Sequence, residues 1–201
     1  MANFSKQNIK GIVLPAAVLL TICVIISLAL ALANNVTAGR IAELEEQNQR
    51  EAMSRLVKAE TYEPAAYTTD ASDSKSSFTY YIAKNGDEAV AYLFILSTKG
   101  YGGDVSVMTA VEPQGSVKAV AILDVSNETP GLGQNAAKES FYSQFAGKTK
   151  DISLLKNGAK ADKNEIDAVT GATITSTAVT RAVNEALDQF ETIKEANADV
   201  E

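Results

Sequence analysis

The sequence predicts an α+β protein that is carried on one N-terminal transmembrane helix, and three patterns support this prediction. An apolar run from Ile12 to Ala33 fits a membrane span. Short apolar or alternating runs between residues 78 and 125, separated by turn residues, fit an antiparallel meander. A final run after Thr173 has apolar residues at helical spacing. The 201 residues leave room for one folded domain with a mainly antiparallel sheet and flanking helices.

The composition excludes several kinds of site. The chain has no histidine, and its one cysteine, Cys23, lies inside the apolar run, so Cys/His zinc sites, thiolate-held iron–sulfur clusters and His-dependent triads are excluded within this chain. No EF-hand spacing is visible, and we expect no metal site. The net charge of the whole chain is −7. Residues 1–39 contribute +2 through Lys6 and Lys10, so residues 40–201 carry −9. An acidic domain argues against nucleic-acid binding.

The N-terminal apolar run predicts an uncleaved anchor. At about 1.5 Å per residue, its helix would be roughly 33 Å long and would cross a hydrocarbon layer of about 30 Å. Ala31-Leu32-Ala33 resembles a signal-peptide cleavage site, which is the alternative, but the run exceeds the usual signal-peptide core of about 7 to 15 residues. Lys6 and Lys10 place the N-terminus in the cytoplasm by the positive-inside rule. The soluble domain is then extracytoplasmic, on the cell (inner) membrane.

The segment after the anchor is predicted to contain an amphipathic helix and a linker. Ile41, Leu44, Met53, Leu56 and Val57 recur among charged and amide residues, which favours a helix that leaves the membrane. Residues 62–77, with one proline and many hydroxyl residues, are typical of a loop. The predicted boundaries are 1–10 for the cytoplasmic N-terminus, 11–34 for the span, 35–77 for the helix and linker, and 78–201 for the folded domain.

Four strands and one long helix follow. The strands are predicted at Phe78–Ala83, Ala91–Leu96, Asp104–Val111 and Val117–Val125. Asn85-Gly86 predicts a tight turn between the first two. A short helix is expected over residues 134–145, and 147–165 is expected to loop back across the sheet. The terminal helix has one apolar face, formed by Ala178, Val179, Ala182, Val183, Ala186, Leu187, Phe190 and Ile193.

The glycine-rich segment 100–103 has two interpretations. No helix pattern follows Gly100-Tyr101-Gly102-Gly103, so neither the dinucleotide fingerprint nor the P-loop fits, and a turn or bulge explains it. The functional interpretation is close backbone approach to a flat ligand, with Tyr101 as a stacking ring.

The segment Asp167-Ala168-Val169-Thr170-Gly171-Ala172-Thr173-Ile174-Thr175-Ser176 also has two interpretations. Its hydroxyl residues can cap the start of the terminal helix. Alternatively, the small Gly171-Ala172 pair lets a bulky group approach Thr173, where a phosphate would face the positive end of the helix dipole. The local pattern alone does not separate these interpretations.

Two motifs together resemble a known family. Glu128-Thr129-Pro130-Gly131-Leu132-Gly133 precedes Asp167-Ala168-Val169-Thr170-Gly171-Ala172-Thr173 in a chain with one N-terminal span. This arrangement closely resembles the G subunit of the Rnf electron-transport complex, and it is similar to the C subunit of the sodium-translocating NADH:quinone reductase. Both families share an FMN-binding domain, which the resemblance assigns to residues 78–201.

The resemblance implies one FMN per chain, joined to Thr173 through a phosphoester, which makes the chain a covalent flavoprotein and a phosphoprotein. Thr170, Gly171 and Ala172 complete the attachment motif, and Thr175 or Ser176 would help the helix start hold the phosphoester. The residues implied at the flavin ring are Glu128, Thr129, Gly131, Leu132 and Gly133, with Tyr101 and Gly102 as further contacts. Asp167 either helps a flavin-attaching enzyme recognise the chain or only precedes the turn.

The implied function is electron relay inside a membrane-bound, redox-driven ion translocase that couples ferredoxin and NAD. The implied partners are the other membrane and peripheral subunits of the Rnf complex, a flavin-attaching enzyme and the lipid bilayer, and no catalytic residue of the chain's own is expected. One departure is that Ser126 and Asn127 stand where some relatives carry a histidine. The alternatives are the quinone-reductase C subunit and a membrane-tethered binding or assembly module without flavin, in which Thr173 is a helix cap.

Overall fold

A computed structural model describes residues 6–68, 77–160 and 163–198. Within these residues the chain forms two compact units that divide after Gln47. The first unit is helical, and the second contains the sheet and everything that follows it.

Helix α1 runs from Lys6 to Leu56 without a break, so the predicted span and the predicted membrane-proximal helix are one element. Its part from Val13 onward is long and apolar enough to cross a membrane, with a mean hydropathy of 2.8 over the most apolar 18-residue window. The large apolar side chains from Val13 to Leu32 are exposed, which fits a surface that lipid covers. In the second unit, Ala52, Met53 and Val57 at and just after the end of the helix are buried.

The domain is built on a five-stranded antiparallel sheet in the order β1-β2-β3-β4-β5. The strands are β1 Thr61–Thr68, β2 Ser77–Asn85, β3 Glu88–Lys99, β4 Asp104–Val111 and β5 Val117–Asp124. The predicted meander and the α+β class are therefore confirmed.

Strand β1 corrects the sequence prediction, which placed a loop at residues 62–77. Pro64 pairs with Tyr81 of β2. Because β1 is an edge strand, it tolerates a proline that a central strand would exclude. Residues 69–76 of the predicted linker lie outside the described residues.

The sheet has two buried faces. On one face, Phe94 and Val107 pack in a cluster with the apolar side of the terminal helix. On the other face, Leu93 and Met108 pack in a cluster with Met53 from the last turn of α1. The alternation of side chains along β3 and β4 places the two clusters on opposite sides.

The segment after β5 differs from the single helix predicted for residues 134–145. It contains a 3-10 helix Gly133–Ala137, helix α2 Glu139–Tyr142 and a 3-10 helix Ser143–Phe145. The break is at Lys138, whose backbone is extended (φ −80°, ψ 140°). Phe141 and Phe145 on the two later pieces are buried with their rings edge to face, so core packing determines the path here.

Two short strands and a long helix complete the domain. The predicted return loop contains β6 Ser153–Leu155 and β7 Glu165–Asp167, which pair in parallel and which the sequence analysis missed. Helix α3 runs from Thr173 to Ala198. All eight residues of its predicted apolar face are buried, which confirms that prediction.

Candidate functional site

Three segments meet at one end of the sheet. Strand β3 ends at Lys99, β4 begins at Asp104 opposite it, and β5 ends at Asp124 opposite Ser106. The Thr98 hydroxyl donates a 2.8 Å hydrogen bond to the Ala178 carbonyl, which holds the first turns of α3 beside the end of β3. The segment 100–103, the turn after β5 and the start of α3 are therefore neighbours.

A buried carboxylate joins these three segments. Glu128 is 2% exposed and belongs to the turn after β5. Its Oε1 accepts hydrogen bonds from the backbone N–H groups of Tyr101 (2.8 Å) and Gly102 (3.0 Å). Its Oε2 accepts a 2.5 Å hydrogen bond from the Thr175 hydroxyl of α3. Glu128 was predicted as a ring contact, and these bonds were not predicted.

The glycines around this carboxylate are needed for close packing. A Cβ on Gly100 or Gly133 would overlap an oxygen of the Glu128 carboxylate, and one on Gly102 would overlap the Asn127 carbonyl oxygen. The segment 100–103 closes with a hydrogen bond from the Gly100 N–H to the Gly103 carbonyl (2.8 Å). The prediction of a turn at this position is confirmed.

Thr173 is the first residue of α3, and it is exposed. Gly171 precedes it with a φ of +75°, a region that favours glycine, and a Cβ there would lie 2.9 Å from the Leu132 side chain. Among the described residues, the Thr173 hydroxyl has no hydrogen-bond partner, and the N–H groups of Thr173, Ile174 and Thr175 have no acceptor. The capping interpretation of the Thr173 hydroxyl therefore lacks the bond that it requires.

The next two hydroxyl residues are buried and already paired. Thr175 is 1% exposed and donates to Glu128. Ser176 accepts from the Val169 N–H (3.0 Å) and donates to the Ala172 carbonyl (2.9 Å). These bonds hold the start of α3 and pair both buried hydroxyls, whereas Thr173 remains exposed.

A groove of about 550 Å³ lies beside Thr173. Tyr101, Leu132 and Ile174 are 71%, 43% and 54% exposed, and outside α1 they are the exposed large apolar side chains of the described residues. All three line this one groove, which we call the α3 groove. Its full lining is Tyr101, Glu128, Thr129, Leu132, Gly133, Gly171, Ala172, Thr173, Ile174 and Thr175.

Ile174 is the lining residue that the sequence analysis missed. A sequence signal was available, because an isoleucine stands between two threonines and the positions three and seven residues later, Thr177 and Arg181, are polar. Ile174 shares one side of the helix with these polar residues, and its neighbour four positions later, Ala178, is buried, so Ile174 stands at the border between the two faces.

Comparison with known proteins gives this site its context. The FMN-binding domain family matches residues 100–188, which include every lining residue of the groove. The G subunit of the Na(+)-translocating ferredoxin:NAD(+) oxidoreductase complex of Acetobacterium woodii is 34% identical over 188 residues, which cover 88% of this chain and 90% of that protein. The chain belongs to the G-subunit family of ion-translocating oxidoreductase complexes.

A second relative from this family is more similar over a shorter range. The G subunit of the proton-translocating ferredoxin:NAD(+) oxidoreductase complex of Clostridium ljungdahlii is 45% identical over 114 residues, which cover 56% of this chain and 60% of that protein. The resemblance found in the sequence is thus confirmed, and the matches support an electron-transfer flavoprotein in an ion-translocating oxidoreductase complex.

Solved structures support the fold. NqrC of Shewanella oneidensis matches with a TM-score of 0.51 at 22% identity, covering 63% of this chain and 69% of that chain. The C subunit of the Na(+)-translocating NADH-quinone reductase of Parabacteroides distasonis matches with a TM-score of 0.51 at 20% identity, covering 64% and 74%. At these identities the likeness concerns the fold.

Residues 167–170, the first part of the segment 167–176, do not line the α3 groove. Asp167 and Thr170 line a second groove of about 460 Å³ together with Lys138 and Gln144. The Gln144 side chain accepts from the Asp167 N–H (2.8 Å) and donates to the Asp167 carbonyl (3.3 Å). The Asp167 carboxylate accepts a 3.0 Å bond from the Ala159 N–H, so it has a structural partner.

The remaining predicted residues shape the turn after β5. The Thr129 carbonyl accepts from the N–H groups of Leu132 (3.1 Å) and Gln134 (3.3 Å). Gly131 has a φ of +78°, and a Cβ added to it would meet no atom within 4 Å, so it serves the turn and does not line the groove. Among the described residues, no cluster of carboxylates or thiols that could hold a metal ion is present.

Proposed function

We propose that this chain carries FMN on Thr173 through a phosphoester and relays electrons within an ion-translocating ferredoxin:NAD oxidoreductase complex. The observation that carries the proposal is the meeting of two features. An exposed, unpaired threonine hydroxyl stands at the start of α3, and three exposed apolar side chains line the groove beside it. The family to which the chain belongs and the FMN-binding domain match support it.

The start of α3 suits a phosphoester. The N–H groups of Thr173, Ile174 and Thr175 have no acceptor among the described residues, and they lie at the positive end of a 26-residue helix. A phosphodiester on Thr173 keeps one negative charge, which these donors and the helix dipole stabilise. In net terms, the Thr173 Oγ–phosphorus bond forms while the hydroxyl proton and one phosphate hydroxyl leave as water. A separate flavin-attaching enzyme would carry out this step.

The walls of the groove suit a flat aromatic ring. Its volume of about 550 Å³ lies within the range of about 300–1,000 Å³ that is usual for small-molecule sites. Tyr101, Leu132 and Ile174 supply apolar surface, and burying that surface against a ring is favourable. Gly133 and Gly171 also line the groove, and the absence of a side chain at these positions lets a ring approach the backbone closely.

Electron relay follows from the cofactor, since a flavin accepts one or two electrons and can connect carriers of different kinds. This chain's residues hold the flavin in place and shield part of its surface. Electron entry and exit would depend on the other subunits of the complex. The two basic residues Lys6 and Lys10 before the span support a cytoplasmic N-terminus and an extracytoplasmic domain in the cell (inner) membrane.

The mass of the denatured chain tests the attachment. When the chain is produced with a flavin-attaching enzyme, we expect the sequence mass plus FMN less one water. Thr173→Ala is expected to return the bare sequence mass. The matched control is Thr177→Ala, which changes an exposed threonine on the next turn of α3, outside both the motif and the groove lining, and should keep the added mass.

Two results would contradict the proposal. One is a bare mass for the unchanged chain under conditions in which a known acceptor protein gains flavin. The other is flavin fluorescence that stays with the Thr173→Ala chain on a denaturing gel. The first result would favour a tethered module that uses no covalent flavin, and the second would show that the flavin is attached at another residue.

A further inference from the structure

We propose that Glu128 is the positioning residue of the α3 groove, and that its buried carboxylate both holds the Tyr101 segment against α3 and disfavours electron gain by a flavin in the groove. The inference rests on the proposed function for its second half. Its first half concerns the chain alone.

The geometry makes Glu128 a bridge between the two walls of the groove. Tyr101 stands on one wall, in the segment 100–103, and Thr173 and Ile174 stand on the other, at the start of α3. One carboxylate oxygen binds the N–H groups of Tyr101 and Gly102, and the other binds the hydroxyl of Thr175. The two walls are thus connected through a single side chain.

The hydrogen bonds that Glu128 accepts are stronger than the neutral hydrogen bonds of an ordinary turn. Hydrogen bonds to a charged acceptor are roughly twice as strong as neutral ones. The carboxylate is 2% exposed, so water does not replace a lost bond at low cost. The Cβ-free positions at Gly100 and Gly133 let both carboxylate oxygens lie against the backbone, and no larger residue fits there without displacement.

The charge of Glu128 has an additional consequence. Its three donors are two backbone N–H groups and one hydroxyl, all of which are uncharged. The carboxylate also lines the groove. A buried negative charge near a group that gains electrons disfavours that gain, because like charges repel strongly where water is excluded. Removal of this charge should therefore make the flavin easier to reduce.

Two substitutions separate the role of shape from the role of charge. Glu128→Gln keeps the length of the side chain and removes the charge, and its amide can still accept from the two N–H groups and donate to the Thr175 hydroxyl oxygen. Glu128→Asp keeps the charge but is shorter by one methylene, so it cannot reach the partners on both walls. Each variant is made in the full chain, in detergent.

The first measurement is hydrogen–deuterium exchange of the Tyr101 and Gly102 amides in a Thr173→Ala background, which lacks the proposed flavin attachment site. We expect Glu128→Asp to accelerate both amides by about tenfold or more, the size expected for loss of a hydrogen bond to a charged group. Glu128→Gln keeps neutral hydrogen bonds of about half the strength, so it should accelerate both amides less than Glu128→Asp does. The amide of Val107, inside β4, serves as the control for global unfolding.

The second measurement is the midpoint potential of the flavin-loaded chain with Thr173 intact. We expect Glu128→Gln to shift the potential to a more positive value, a change that a purely structural role would not produce. Unchanged exchange in Glu128→Asp, or an unchanged or more negative potential in Glu128→Gln, overturns the proposal. If covalent attachment fails, the mass of the denatured chain shows it. The exchange measurement still tests the positioning role, because it needs no flavin.

Discussion

The two halves of the segment 167–176 differ in which of their backbone groups are bonded. In the first half, residues 167–170, the backbone of Asp167 is bonded at both its N–H and its carbonyl, and the Ala168 N–H donates to Leu155. In the second half, residues 171–176, Thr173 and Ile174 are exposed, and the first helical amides have no acceptor among the described residues. One short segment thus contains a part held by backbone hydrogen bonds, which we call the anchor, and a part whose exposed residues line the α3 groove.

The largest effect is expected when the packing beneath the second half is disturbed. In Gly133→Ala the new Cβ would overlap the Glu128 carboxylate and lie 2.8 Å from the Thr175 hydroxyl oxygen. Overpacking of this kind costs about 1–3 kcal/mol of stability. We expect a lower Tm by differential scanning fluorimetry and a reduced fraction of flavin-loaded chain by mass.

The control for this change is Gly131→Asn in the same turn. Gly131 has a φ of +78°, which asparagine tolerates better than other residues, and its Cβ position meets no atom within 4 Å. This variant carries some backbone strain but no overlap, so it should lower the Tm less than Gly133→Ala and should keep flavin loading. If the two glycine variants behave alike, the crowding at Gly133 does not matter for the site.

A smaller effect is expected when the anchor is loosened. Gln144→Ala removes both side-chain bonds to the backbone of Asp167, and the loss of two partly buried hydrogen bonds should cost about 1–2 kcal/mol. The Tm should fall while flavin loading persists at temperatures where the chain is folded. Gln134→Ala, which loses one exposed 3.3 Å bond to the Ser126 carbonyl, is the matched control with a smaller expected change.

The side chain of Asp167 decides between the two roles left open for it. Its carboxylate accepts one bond from the Ala159 N–H, which asparagine can also satisfy. We therefore expect Asp167→Asn to keep both stability and flavin loading, and Asp167→Ala to lose about 1 kcal/mol of stability. A stable Asp167→Asn chain that no longer gains FMN would instead show that the flavin-attaching enzyme reads the carboxylate charge.

Local patterns were sufficient to predict much of the fold. The meander followed from alternation and turn residues, and the apolar face of α3 followed from helical spacing, because both depend on neighbours along the chain. Strand β1 was missed since Pro64 and the surrounding hydroxyl residues are typical of a loop. Its pairing with β2 as an edge strand is a tertiary property that no local pattern shows.

The candidate site was predictable in its centre and less so in its surroundings. The position of Thr173 followed from the motif, and the structure leaves its hydroxyl exposed beside a groove. The role of Glu128 depends on bonds to residues 27 and 47 positions away in sequence, which local reasoning does not reach. Ser176 was expected near the phosphoester, yet its hydroxyl accepts a hydrogen bond from the Val169 N–H and donates one to the Ala172 carbonyl.

The smallest effect on stability, and a specific one on the cofactor, is expected at Ile174 in the exposed half. Because its side chain is 54% exposed, Ile174→Ser should change stability by no more than about 0.5 kcal/mol. It removes one apolar wall of the groove, so a flavin on Thr173 should become more accessible to an ionic quencher such as iodide. Thr177→Ser, which keeps a hydroxyl on the next turn of α3 outside the groove lining, is the control. Equal quenching in the parent, Ile174→Ser and Thr177→Ser would show that the flavin ring does not lie against Ile174, and would separate attachment at Thr173 from occupation of the groove.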